Sequence, residues 1–236
     1  MPAMQPSSSA KDLYLTSRGT LIAGGIIVGW LLLLLFLLGS YTINWSSPLT
    51  YLFVWLQTHL YTGLFITAHD AMHGAISPKP VVNKRLGQLS ALLFAFNSYN
   101  KLFPKHHEHH RFVASDKDPD YHASQNFFIW YFSFLKQYIT WWQIVAMAIT
   151  YNLLKLAFPQ ENVVLFWIVP SLLATLQLFY FGTYLPHRGE HSNRHKSGSQ
   201  RKNHLWAFLS CYFFGYHWEH HNHPGTPWWQ LWKKKR

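Results

Sequence analysis

The chain has 236 residues, 18% of them aromatic and only 12% charged, with a formal net charge of +11 and a single cysteine, Cys211. That is too aromatic and too uncharged for an ordinary soluble domain, and one cysteine excludes both a disulfide framework and a thiolate metal site. The basic residues flank apolar stretches and form no domain of their own, which argues against nucleic acid and for a membrane surface.

Residues 1–18 are polar and Ser-rich and read as a loose tail; residues 19–236 read as one membrane-embedded domain. Four stretches, 20–38, 48–68, 138–156 and 163–185, approach the roughly 20 apolar residues a spanning helix needs. The first has no charge. The second has only Gln57 and His59 as strong polar groups. The third carries Gln143, Asn152 and Lys155, and the fourth is uncharged with Pro170 as a kink. The first stretch is too long for a signal-peptide core and has no small-x-small cleavage site, so it is expected to be retained. Between the second and third stretches, residues 86–103 are interrupted by Asn97, Ser98, Asn100 and Lys101 and predict a short or re-entrant helix. Residues 125–135 are rich in Phe, Trp and Tyr and suit the interface. Residues 205–216 are apolar but too short to span, and 227–236 pair tryptophans with a terminal basic run, as a surface anchor on anionic lipid does.

Loop charge sets the orientation. Lys11 and Arg18 precede the first stretch, and Lys79, Lys84, Arg85, Lys101, Lys105, Arg111 and Lys117 lie between the second and third, while 39–47 has no Lys or Arg. The positive-inside rule then places both termini in the cytoplasm. The expected fold is an all-α integral membrane protein with four transmembrane helices, short interfacial helices and a cytoplasmic His-rich cap.

Eight of the sixteen histidines fall in three clusters at that face: His69-x-x-x-His73, His106-x-x-His109-His110 and His217-x-x-His220-His221. Helical residues three or four apart share a face, so each cluster can aim its imidazoles at one place, and adjacent histidines can reach two neighbouring ions. Eight donors exceed what one ion accepts, which predicts a pair of metals. A merely solvated or pH-responsive His-rich surface would not repeat the spacing. His187, just past the fourth stretch, is a ninth donor; His191 and His195 compete from a Gly/Ser/Lys/Arg-rich loop. Asp116, Asp118 and Asp120 follow the second cluster and suit the carboxylates that accept from the second ring nitrogen of a metal-bound histidine. A turn around Pro119 is their competing role. Imidazole alone does not choose among Zn, Cu, Fe and Ni, and the donor-rich pair favours a dinuclear redox site.

The three boxes resemble the membrane fatty-acid desaturase and hydroxylase superfamily. A finer likeness, to bacterial-type β-carotene ketolases, rests on His69-Asp70-Ala71-Met72-His73-Gly74, Asp116-x-Asp118-Pro119-Asp120-Tyr121, Phe181-Gly182-Thr183-Tyr184-Leu185-Pro186-His187 and Phe214-Gly215-Tyr216-His217-Trp218-Glu219-His220-His221. The stretch after His110, Arg111-Phe112-Val113-Ala114-Ser115, departs from the family pattern. The resemblance implies two non-haem iron ions on His69, His73, His106, His109, His110, His187, His217, His220 and His221. It also implies O2, a reduced ferredoxin-like donor, and oxidation of β-carotene at ring C4 to echinenone and canthaxanthin. Related expectations are a carotenoid hydroxylase or a fatty-acyl desaturase. A His-rich metal transporter or sensor is the reading from another class, and it would place ligands near the bilayer midplane, where only His59 lies.

Overall fold

The computed structural model describes residues 10–235, with side chains from Arg18 onward. Of the tail expected over 1–18, residues 1–9 lie outside the described residues, and helix runs from Ala10. The described residues contain helices and no strand. In chain order the helices are α1 (Ala10–Gly39), α2 (Pro48–Met72), α3 (Pro80–Leu93), α4 (Tyr99–Phe112), α5 (Phe127–Tyr138), α6 (Trp141–Ala157), α7 (Gln160–His187), α8 (His204–Cys211), α9 (His217–Asn222) and α10 (Trp228–Leu231).

Local chemistry sets the boundaries. Ser47 caps α2, its hydroxyl accepting from Leu49 N at 3.3 Å, with Pro48 preorganising the first turn. Asn126 caps α5 and Asn203 caps α8. Thr140 and Gln143 form a capping box on α6. That cap explains a difference from the expected third span: Ile139 and Thr140 are extended, so Tyr138 closes α5 and α6 begins at Trp141. The break expected within 86–103 is a left-handed pair, Ala95 (φ 50°) and Phe96 (φ 57°), separating α3 from α4. The kink expected at Pro170 is absorbed by a widened π turn at Val164–Ile168, and a second π turn at Tyr180–Tyr184 precedes Pro186.

α2 is the central element, with α1, α3 and α7 packed on it. Trp30 and Leu34 of α1, Tyr61 and Leu64 of α2, and Trp167 and Leu178 of α7 belong to one buried cluster. Polar groups join the same elements: Thr62 Oγ1 donates to Gln177 Oε1 at 2.5 Å and Gln177 Nε2 to Ser210 O at 2.5 Å, while Asn162 Nδ2 reaches Leu37 O and Tyr41 O at 2.6 and 2.7 Å. At Gly63 a Cβ would stand 2.6 Å from the Tyr212 hydroxyl, so the α2 approach to the α8 end requires glycine.

Among the described residues, two helical stretches, Arg18–Gly39 and Gln160–His187, are long and apolar enough to cross a membrane. The other two expected stretches are helical but differ in kind. α2 buries Thr50, Gln57, Thr58, His59, Thr62 and Thr67, which lowers its mean hydropathy. α6 has 17 residues, roughly 25 Å at 1.5 Å per residue.

Candidate metal centre

The ends of α2, α4, α7 and α9 meet, and nine imidazoles divide into two groups there. His69, His73, His106, His110 and His220 form one; His109, His187, His217 and His221 form the other; within each group the candidate donor atoms lie within 4.8 Å of one another. These are the nine residues expected from sequence. Helical phase explains the partition. Positions four apart share a face, so His106 and His110 serve the first group while His109 turns to the second. On α9 the roles reverse: His217 and His221 join the second group and His220 the first. Thus i, i+3 and i+4 do not point together as expected. Adjacent histidines do part company, and the groups touch where the His110 and His221 rings lie 4.2 Å apart.

The nitrogens fit metal ions. Nε2 of His187 lies 2.8 Å from Nε2 of His217, which lies 2.9 Å from Nε2 of His221, itself 3.1 Å from Nε2 of His109. In the first group, His106 and His73 approach Nε2 to Nε2 at 2.6 Å and His110 and His220 at 3.0 Å. Nδ1 of His187 faces the carbonyl of Lys196 at 3.1 Å, and Nδ1 of His109 faces Asp118 Oδ1 at 2.9 Å. Those contacts place the proton on Nδ1 and leave an Nε2 lone pair directed at other imidazole nitrogens. His69 Nε2 is buried with no hydrogen-bond partner. Converging lone pairs, costly when unpartnered, are what a shared cation satisfies.

Protonation is suppressed in the same way. Burial, reinforced by neighbouring imidazoles, pushes His106, His217, His220 and His221 well below the ordinary histidine value, His73 down to about 3 and His110 to about 2. His109 is the exception. Burial lowers it, but the carboxylates of Asp120 and Asp118 outweigh burial and hold it above the ordinary value.

Of the three expected carboxylates, two are in place. Asp118 is buried, and its Oδ2 also accepts from Ala114 N at 2.8 Å. Asp120 lies 3.7 Å from His109 Nδ1 and accepts from the Tyr138 hydroxyl. Asp116 is exposed and makes no contact with a site histidine. Sequence reasoning passed over Asp70, whose carboxylate faces His69 Nδ1 at 3.3 Å and accepts from Trp228 N at 2.8 Å; its position between His69 and His73 was the available signal. Through Trp228, the segment expected to anchor on lipid is also tied to the site, and Lys235 pairs with Glu219 at 3.0 Å. His191 and His195 stay outside both groups. His107 is exposed, with Nδ1 on Phe103 O at 2.8 Å, and His59 is stacked on Tyr212 at 4.2 Å.

A cavity of about 350 Å³ opens against the histidines. His69, His106, His109, His217 and His220 line its inner end, drawn from both groups. Phe65, Phe94, Phe134, Leu135, Met147 and Leu178 supply much of the remaining wall. Gly182 is required there, because a Cβ would stand 2.7 Å from the Phe214 ring, which packs edge-on to His69 at 4.6 Å.

The fatty acid desaturase family model matches residues 45–145 and 126–236. A β-carotene ketolase of Paracoccus sp. is 39% identical over 225 residues, 92% of each chain. A second Paracoccus β-carotene ketolase is 39% identical over 217 residues, 89% of each. A zeaxanthin 4-ketolase of Chlamydomonas reinhardtii is 42% identical over 181 residues, 73% of this chain and 41% of that protein. The chain belongs to the fatty acid desaturase family and groups within it with the β-carotene ketolases.

Proposed function

We propose that the protein is an O2-dependent di-iron oxygenase that converts β-carotene to keto-carotenoids by oxidation at ring C4. One observation carries the reading: an apolar cavity ends on histidines of both metal groups. The wall would hold a hydrocarbon ring with C4 toward the site and keep water away. The nine histidines would hold two non-haem irons, and these, when bound, supply the O2 activation that side chains lack. Asp118 and Asp120 would hold the His109 ring in the tautomer that presents Nε2.

Each hydroxylation exchanges a C4 hydrogen for hydroxyl. It takes one oxygen atom from O2 and releases the other as water, consuming two electrons and two protons. A second hydroxylation at C4 gives a geminal diol, which loses water to leave the ketone. The electrons require a one-electron carrier of the reduced ferredoxin type.

Residues 19–236 act as one membrane domain with four spans. α1 and α7 meet the length and hydropathy of spans. α2 and α6 support the count by what they turn outward: Leu49, Leu52 and Trp55 on α2, and Ile144, Ile149 and Leu153 on α6, are all exposed. The cationic loops favour a cytoplasmic site.

The test is pigment extraction from β-carotene-producing cells that express the chain. Echinenone and canthaxanthin are expected, and both should vanish in His109→Ala and His220→Ala. Ring-hydroxylated or desaturated lipid products without ketones would move the assignment to a related oxygenase.

A further inference from the structure

From the histidines at its inner end, the cavity runs out to the outer surface of the helices. Ile144 of α6 and Leu172 of α7 both line it, and each residue is 61% exposed. They belong to the apolar outer faces of these helices, with Ile149 and Leu153 on α6 and Leu173 on α7 also exposed. α6 and α7 approach each other closely near their connecting turn, and their backbones make little close approach between α6 and residues 169–179. Ile139 and Met147 continue the lining on the α6 side, and Ser171 and Thr175 on the α7 side. The hydroxyls there are silenced toward the cavity as donors: Ser171 Oγ donates to Ile168 O at 2.8 Å and Thr175 Oγ1 to Ser171 O at 2.9 Å. A donor spent inside its own helix leaves the passage fit for hydrocarbon.

We infer that the carotenoid reaches the site sideways from the lipid, through a mouth between α6 and α7 bounded by Ile144 and Leu172. The inference rests on the ketolase reading and adds the route. Pockets that enclose drug-sized ligands occupy roughly 300–1,000 Å³, and about 350 Å³ lies at the low end. That space takes one end of the C40 molecule, so the rest stays in lipid at the mouth.

The route is tested by reversible blockage, read as binding. Leu172→Cys protein is treated with a bulky methanethiosulfonate reagent; the native Cys211 is buried. β-Carotene retained per chain is measured after gel filtration in detergent, before and after reduction of the adduct, without a reductant for turnover. Retention should fall at least fivefold in the adduct and return on reduction, and recovery excludes misfolding. The same adduct at Leu31→Cys, on the exposed face of α1, should leave retention unaltered. Equal retention in modified and reduced Leu172→Cys would overturn the lateral route. If wild type makes no ketone while the Leu172 adduct still blocks retention, the function fails and the route stands.

Discussion

At the residue scale, the division of labour among neighbouring side chains is sharper than their spacing suggests. His109 and His110 are adjacent yet belong to different donor groups, as are His220 and His221. The carboxylates likewise separate: Asp118 is bonded to His109 Nδ1 at 2.9 Å, whereas Asp116 is exposed. Asp118→Asn is expected to weaken iron binding about 10- to 100-fold, the usual cost of removing the acceptor behind a ligating imidazole, while Asp116→Asn leaves it within twofold. Competitive chelation of the two variants measures this, and equal affinities would remove Asp118 from the site. Protonation gives a second residue-scale prediction. His73 and His110 lie at about 3 and about 2 in the folded protein against an ordinary value of 6.5. Between those values the unfolded chain binds more protons than the folded one, so this contribution is complete above 6.5 and is lost as pH falls toward 3. His109, Asp70 and Asp120, all shifted upward, oppose it, but the site imidazoles that burial lowers outnumber them. The melting temperature of metal-free protein in detergent should therefore drop steadily from pH 7 to pH 4; a flat profile would contradict neutral, buried imidazoles.

At the scale of elements, much of the architecture is legible in the chain because apolar runs and caps are local signals. The cores of the four expected spans all lie in helix, and all nine expected histidines come together. What the sequence does not reveal depends on how helices are rotated against one another. The five-and-four partition of the imidazoles is set by the phase of α4 and α9 at the contact. Asp70 acquires its role only when Trp228, 158 positions away, donates to it. The break between α3 and α4 is marked by the polar run from Asn97, but its left-handed turn falls on Ala95 and Phe96, neither Gly nor Asn, and no local signal gives that conformation. The glycine at 182 is similarly silent until Phe214 is seen against it. Gly182→Val should push Phe214 toward His69 and reduce β-carotene retention severalfold with little change in iron content. Retention equal to wild type would mean the wall can yield at that point.

At the scale of the whole molecule, the apolar outer faces of α1, α2, α6 and α7 suit membrane association, and the proposed four-span arrangement would set the metal centre at the cytoplasmic surface. Thr42→Cys, in the turn between α1 and α2, is expected to react only with reagents applied outside the cell, and Lys202→Cys, exposed in the connection between α7 and α8, only from the cytoplasm. Labelling of both from one side would contradict the four-span arrangement. The central claim is that two imidazole groups hold two ions. Its most direct measurement is iron per chain in the purified protein and in a His217→Ala, His221→Ala double variant. About two irons are expected in the first and about one in the second, with the His69 group still loaded. A single ion in the wild type, or zinc in place of iron, would contradict it.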